Sequence, residues 1–109
     1  MINMSLLREV QAHILAHPEQ VDMNIFGTDC GTIGCIALHT CKLSGEPADF
    51  RKVQRRGQVL LGLDSDQSER LFVPVSDLIY EFPGTMIHAQ RVSDHIDNFI
   101  ESFIEGYEE

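Results

Sequence analysis

An all-α domain of five or six short helices gathered around a central apolar one is predicted by three features of this 109-residue sequence. Apolar residues recur at helical spacing in separate blocks, capping residues, prolines and glycines bound those blocks, and the connections between them are short. With 43% hydrophobic and 23% charged residues the composition is globular, and the length suits one domain, residues 1 to 109. One stretch, Val21 to Ile25, alternates apolar and polar residues, so a single minor two-stranded pairing is the most β structure expected.

The first helix is expected over Ser5 to Ala16, capped by Ser5, with Leu6, Val10 and Ile14 on one face and Pro18 as its stop. A second is expected over Thr32 to Leu43, closed by Ser44-Gly45. Because Ile33, Ile36 and Ala37 share one side of it and Cys35, Leu38 and His39 the other, it is apolar nearly all round and belongs at the centre. Pro47 suits the first turn of a third helix, Ala48 to Leu61, within which Gly57 is unfavourable by up to about 1 kcal/mol relative to alanine. Asp64 and Gln67 have capping-box spacing and introduce Ser65 to Phe72. Val75 to Tyr80 adds a further helical turn, and Phe82-Pro83-Gly84 reads as a tight turn. The last helix starts near Thr85, carries Val92, Ile96, Phe99, Ile100, Phe103 and Ile104 as an apolar stripe, and stops near Gly106.

Seventeen acidic against eight basic residues give a net charge of -9, which argues against dedicated nucleic-acid binding. No apolar run approaches the roughly 18 residues of a membrane span, and Met1 to Ser5 lacks the basic start of a secretion signal, so a soluble cytoplasmic protein is expected. Three cysteines cannot all pair within one chain and are read as reduced thiols.

Met23-Asn24-Ile25-Phe26, the core Cys30-Gly31-Thr32-Ile33-Gly34-Cys35-Ile36-Ala37, Leu60-Leu61-Gly62-Leu63 and Leu71-Phe72 resemble a loosely defined set of small bacterial and bacteriophage proteins of unassigned function. The resemblance spans residues 21 to 72, with Leu38 standing where a glycine is expected. It implies an origin on a phage or mobile element, where small acidic proteins often bind a host component, and it carries over no catalytic residues.

The same segment allows three chemistries. Cys30 at a helix N-terminus would have a lowered thiol pKa and could act as a nucleophile with His88 or His95 as base, although adjacent Asp29 opposes the thiolate. A linear metal site of Cys30, Cys35, His39 and Cys41 fails because Cys41 lies about 120° around the helix from Cys35. A better zinc set joins two pairs spaced by four, His13 with His17 and Cys35 with His39. Finally, Gly27, Gly31 and Gly34 leave backbone N–H groups at a helix start, where Thr28, Gly31 and Thr32 could hold a phosphate or carboxylate. The plainer account of each is a capping or core thiol, half-exposed helix-end histidines, and turn glycines.

Charge is segregated. Arg51, Lys52, Arg55 and Arg56 form a basic patch by four-residue spacing, and Asp94, Asp97, Glu101, Glu105 and Glu108 form a carboxylate stripe on the last helix. The plainer account of the stripe is a solvated outer face; the sharper one is that it engages a basic surface, either the 51 to 56 patch of a second copy in a homodimer or a nucleic-acid-binding host protein whose DNA it imitates. The preferred expectation is therefore a non-enzymatic acidic binding protein, an accessory or inhibitor of a host macromolecule or its ligand, without a resident cofactor. The alternatives are a cysteine- or zinc-dependent enzyme or zinc-stabilised domain, and a sponge for anionic nucleotides.

Overall fold

In the helix α2, Ile36–Leu43, six consecutive residues from Ile36 to Cys41 are buried, so it is covered on every side, as its all-round apolar character requires. The computed structural model describes residues 2–25, 33–46 and 52–103. Around α2 stand α1, Met4–Ala16, α3, Val53–Leu61, and α4, Ser65–Phe72. The longest helix, α5, Met86–Phe103, closes the bundle against α1 and α4. Two 3-10 turns, Pro18–Gln20 and Asp77–Tyr80, complete the order, and the described residues contain no strand. The all-α architecture around a central helix is as the periodicity predicts.

Several boundaries follow directly from local chemistry. Asp64 and Gln67 form the expected box, with the Gln67 N–H donating to Asp64 Oδ1 at 2.8 Å and the Asp64 N–H to Gln67 Oε1 at 3.0 Å. At the end of α2, Gly45 sits at φ +75, the Gly45 N–H donates to Lys42 O, and the Glu46 N–H to Cys41 O, a Schellman closure that a Cβ at residue 45 would strain. The α5 stripe is realised by Ala89, Val92, Ile96, Phe99 and Ile100, all buried. Ile104 and Gly106 lie outside the described residues.

Four expectations are corrected. Asn3, not Ser5, caps α1: its Oδ1 accepts the Leu6 N–H at 3.1 Å, while its own N–H donates to Leu61 O at 2.8 Å and ties the helix start to the end of α3. The extended stretch beginning at Val21 makes only an isolated parallel bridge with Gly34, because the Asp22 carboxylate captures the Asn24 N–H at 2.9 Å and turns the chain. Gly34 spends its N–H on Gln20 O and its C=O on the Asp22 N–H, and Cys35 is extended at ψ -177, so α2 begins at Ile36 rather than Thr32. The third helix begins at Val53 after a non-helical Lys52, and residues 48–51 of the expected span fall outside the described residues.

Gly57 has a packing reason that propensity does not show. A Cβ there would stand 3.1 Å from the Phe72 ring and 3.4 Å from the Ala37 backbone, so the missing side chain lets α3 lie against α2 and α4. Gly57→Leu is expected to lower the unfolding free energy by about 1–3 kcal/mol, since overpacking forces backbone shifts. Urea titration followed by circular dichroism measures it.

Candidate functional site

The start of α2, to which two of the three chemistries were assigned, is built differently from expectation. Cys30, the candidate nucleophile, and Thr28, Gly31 and Thr32, the candidate anion ligands, lie outside the described residues. The helix N-terminus belongs instead to Cys35, whose thiol is buried. Burial pushes that thiol upward, and the N–H groups of Leu38 and Ala37 only partly offset it. Cys41 is likewise buried, pushed up to about 11 chiefly by burial, and donates weakly from Sγ to Val53 O at 3.7 Å. Both are protonated packing groups at neutral pH.

The proposed bases are also occupied. Fully buried His88 donates from Nδ1 to Glu81 O at 2.9 Å, and its Nε2 accepts the Met23 N–H at 3.1 Å. Together with the Gly84 N–H donating to Val21 O and Asn24 Nδ2 to Tyr80 O, this latches residues 21–24 onto residues 80–88. His95 donates from Nε2 to the carbonyls of Arg70 and Leu71 at the end of α4, and burial holds its pKa below the usual value.

Three of the four candidate metal ligands do gather. The His13 ring lies 4.8 Å from His17 and 5.1 Å from His39, centroid to centroid, tilted by 41° and 45°. Gln20 organises them: its side-chain oxygen accepts from His13 Nε2 at 3.2 Å, and its backbone oxygen accepts from His39 Nε2 at 2.8 Å and from the Gly34 N–H. That leaves Nδ1 of His39 buried and without a hydrogen-bond partner among the described residues. Burial drives His39 down to about 4 and lowers His13 as well, so both stay neutral near pH 7. Cys35 stands before α2 rather than inside it, so the helical spacing that paired it with His39 does not apply. Among the described residues, no three His, Cys, Asp or Glu side chains are disposed to hold a metal ion.

The charged surfaces are only partly free. On the basic patch, Arg56 is turned onto Glu46 at 2.8 Å, Lys52 and Arg55 are exposed, and Arg51 lies outside the described residues. On the carboxylate stripe, Asp97 accepts from Arg8 and from Gln11, each at 2.9 Å, while Gln11 also bonds Ser93, so Asp97 fastens α5 to α1. The Gln11 and Arg8 bonds hold its carboxyl below the usual range. Asp94 takes one bond from Gln90 within its own helix and stays exposed, as does Glu101, and Glu105 and Glu108 lie outside the described residues.

Sequence reasoning missed an apolar surface beside α5. Val75 is 100% exposed, Leu78 59%, Phe82 55% and Ile87 54%. Phe82 sits at φ 55, a left-handed conformation unfavourable for a bulky residue by about 1–2 kcal/mol, with the Arg91 guanidinium 5.7 Å from its ring centroid. Arg91 also donates to Leu78 O at 2.7 Å and Glu81 Oε1 at 2.9 Å, which holds the turn together. Val75, Leu78, Ile79 and Phe82 stand at helical spacing and so read as one buried face, but only a short 3-10 turn forms there, over Asp77–Tyr80, and it buries Ile79 alone.

No protein-family model, curated protein or solved structure matches the chain. No helix among the described residues is long and apolar enough to cross a membrane.

Proposed function

We propose that this chain is a non-enzymatic binding protein that engages a basic partner, in the manner of a small accessory protein that sequesters a host macromolecule. The observation that carries the reading is the outer side of α5, where Asp94 and Glu101 stand exposed on a chain of net charge -9 and apolar side chains lie uncovered beside them. Carboxylates alone hold a partner weakly, but several acting over an apolar contact can hold it firmly. Cys35 and Cys41 are buried and protonated and His88 has both nitrogens engaged, so none of these three supports a cysteine enzyme, whose candidate nucleophile Cys30 lies outside the described residues. The assignment to a phage or mobile element rests on the resemblance of residues 21 to 72.

A pull-down from bacterial lysate at low and high salt, with the wild-type chain and an Asp94→Lys/Glu101→Lys variant, tests the reading. Capture is expected to weaken with salt and with the charge reversal. Capture unchanged by both would remove the electrostatic basis.

The zinc-stabilised alternative gains little from the gathering of His13, His17 and His39, since Gln20 engages Nε2 of both His13 and His39 and no three ligating side chains among the described residues are disposed to hold a metal ion. Dialysis against EDTA is expected to leave the thermal midpoint unmoved, and a fall that zinc reverses would place the ion among these rings.

A further inference from the structure

An open cavity of about 580 Å³ lies between α4 and α5, floored by the buried Pro74 and Phe99 and edged by Val73, Val75, Asn98 and Ser102. Its lining residues His95, Asn98 and Ser102 lie on one side of α5. At 100° per residue, Ile87, Arg91, His95, Asn98 and Ser102 fall within about 80° of one another, over about 22 Å of helix. Arg91 joins the two ends, because it bonds Leu78 O and covers Phe82. We take the cavity and this side of α5 together as one channel, polar along α5 itself, with Val75 at the cavity and Leu78 and Ile87 exposed towards its other end.

The rims are negative. Asp66 and Glu69 line the α4 side, and Asp94 and Glu101 flank the α5 side, with Asp77 and Glu81 on the intervening turn. The two guanidiniums among them already face carboxylates, Arg70 at 3.7 Å from Asp66 and Arg91 at 2.9 Å from Glu81. A phosphate-bearing ligand or an anionic lipid surface would be repelled here. A second copy fits poorly, since the exposed Lys52 and Arg55 are accompanied on α3 by only one large exposed apolar residue, Val59, and Arg56 is held by Glu46.

We infer that this channel docks a basic amphipathic segment of a partner protein, its apolar side chains seated against Val75 and Leu78 and its lysines or arginines against the carboxylate rims. This rests on the binding reading above and names its contact surface. The mode is that of an amphipathic segment in a groove, in which apolar anchors supply affinity and charge supplies orientation.

The test uses two fluorescein-labelled peptides of identical Leu/Lys composition, one with leucines at helical spacing and one scrambled, measured by anisotropy at low and moderate salt. The amphipathic peptide is expected to bind about tenfold more tightly than the scrambled one. Val75→Asp and Asn98→Trp, both at exposed positions, are expected to weaken it by about tenfold, whereas Val59→Asp on α3 leaves it unchanged. Asp94→Lys/Glu101→Lys is expected to weaken both peptides and flatten the salt dependence. Amide shift changes on binding are expected at residues 73–76 and 95–102. Equal binding of the two peptides, or indifference to Val75→Asp and Asn98→Trp, would overturn the channel while leaving the acidic-surface reading intact. Failure of wild type to bind either peptide would overturn both. Sedimentation of the wild type as a dimer that Val75→Asp dissolves would show the face covered by a second copy, and would also overturn the inference.

Discussion

Leu38→Ala is expected to lower the unfolding free energy by about 2–5 kcal/mol, the range for removing a fully buried leucine and leaving part of its volume empty. Leu38 has no exposed surface and lies midway along α2, the helix that α1, α3 and α4 all touch, so no neighbouring helix can relax into the space without losing other contacts. Small domains are stable by about 5–15 kcal/mol, so this one truncation removes a large share of the total. Urea unfolding should show the midpoint fall with little change in slope. Val59→Ala on the exposed side of α3 serves as the reference and should shift the midpoint little.

Acid is expected to destabilise the fold well above the carboxylate range. The folded chain holds His39 at about 4, against an ordinary value of 6.5. Between those values the unfolded chain takes up a proton that the folded chain refuses. The contribution is therefore complete above about pH 6.5 and declines as pH falls toward about 4, by about 3 kcal/mol in all. His13 and His95, also lowered mainly by burial, act in the same direction. Asp97, held low by Gln11 and Arg8, adds its loss only at more acid pH. Thermal midpoints from pH 7.5 to 4 should fall in the wild type and fall less steeply in His39→Gln, which keeps a donor toward the Gln20 carbonyl but cannot be protonated. An equal slope in both would show that His39 is not the group responsible.

The helices were legible wherever a local signal and the tertiary environment agree. Asp64 with Gln67, Gly45 after Leu43, and the stripe Val92, Ile96, Phe99 and Ile100 each say the same thing at short and long range, and each is realised. The errors fall where a distant partner decides. Gly34 could have continued a helix, but its bridge to Val21 takes both its backbone groups, and that bridge depends on chain folding back from residue 21. The functional surfaces were less legible for the same reason. Periodicity gathers His13 with His17 but says nothing of Gln20, which turns His39 toward them. The carboxylate stripe was visible in the spacing, yet the use of Asp97 as a clasp required Arg8 and Gln11 from the opposite end of the sequence. Val75, Leu78 and Phe82 share helical spacing with the buried Ile79, a pattern that reads as core, and only the assembled fold shows that they stay exposed.

The latch between His88 and the Met23 amide spans 65 positions of sequence. On a ribosome, chain emerges from its N-terminal end, so that donor must wait for the beginning of α5 before it has its native acceptor. Until then α1 also lacks one of the two helices it packs against most. The packing of α1, α2 and α3 on one another can form earlier, but the latch and the cover that α5 gives α1 are deferred until α5 has been translated.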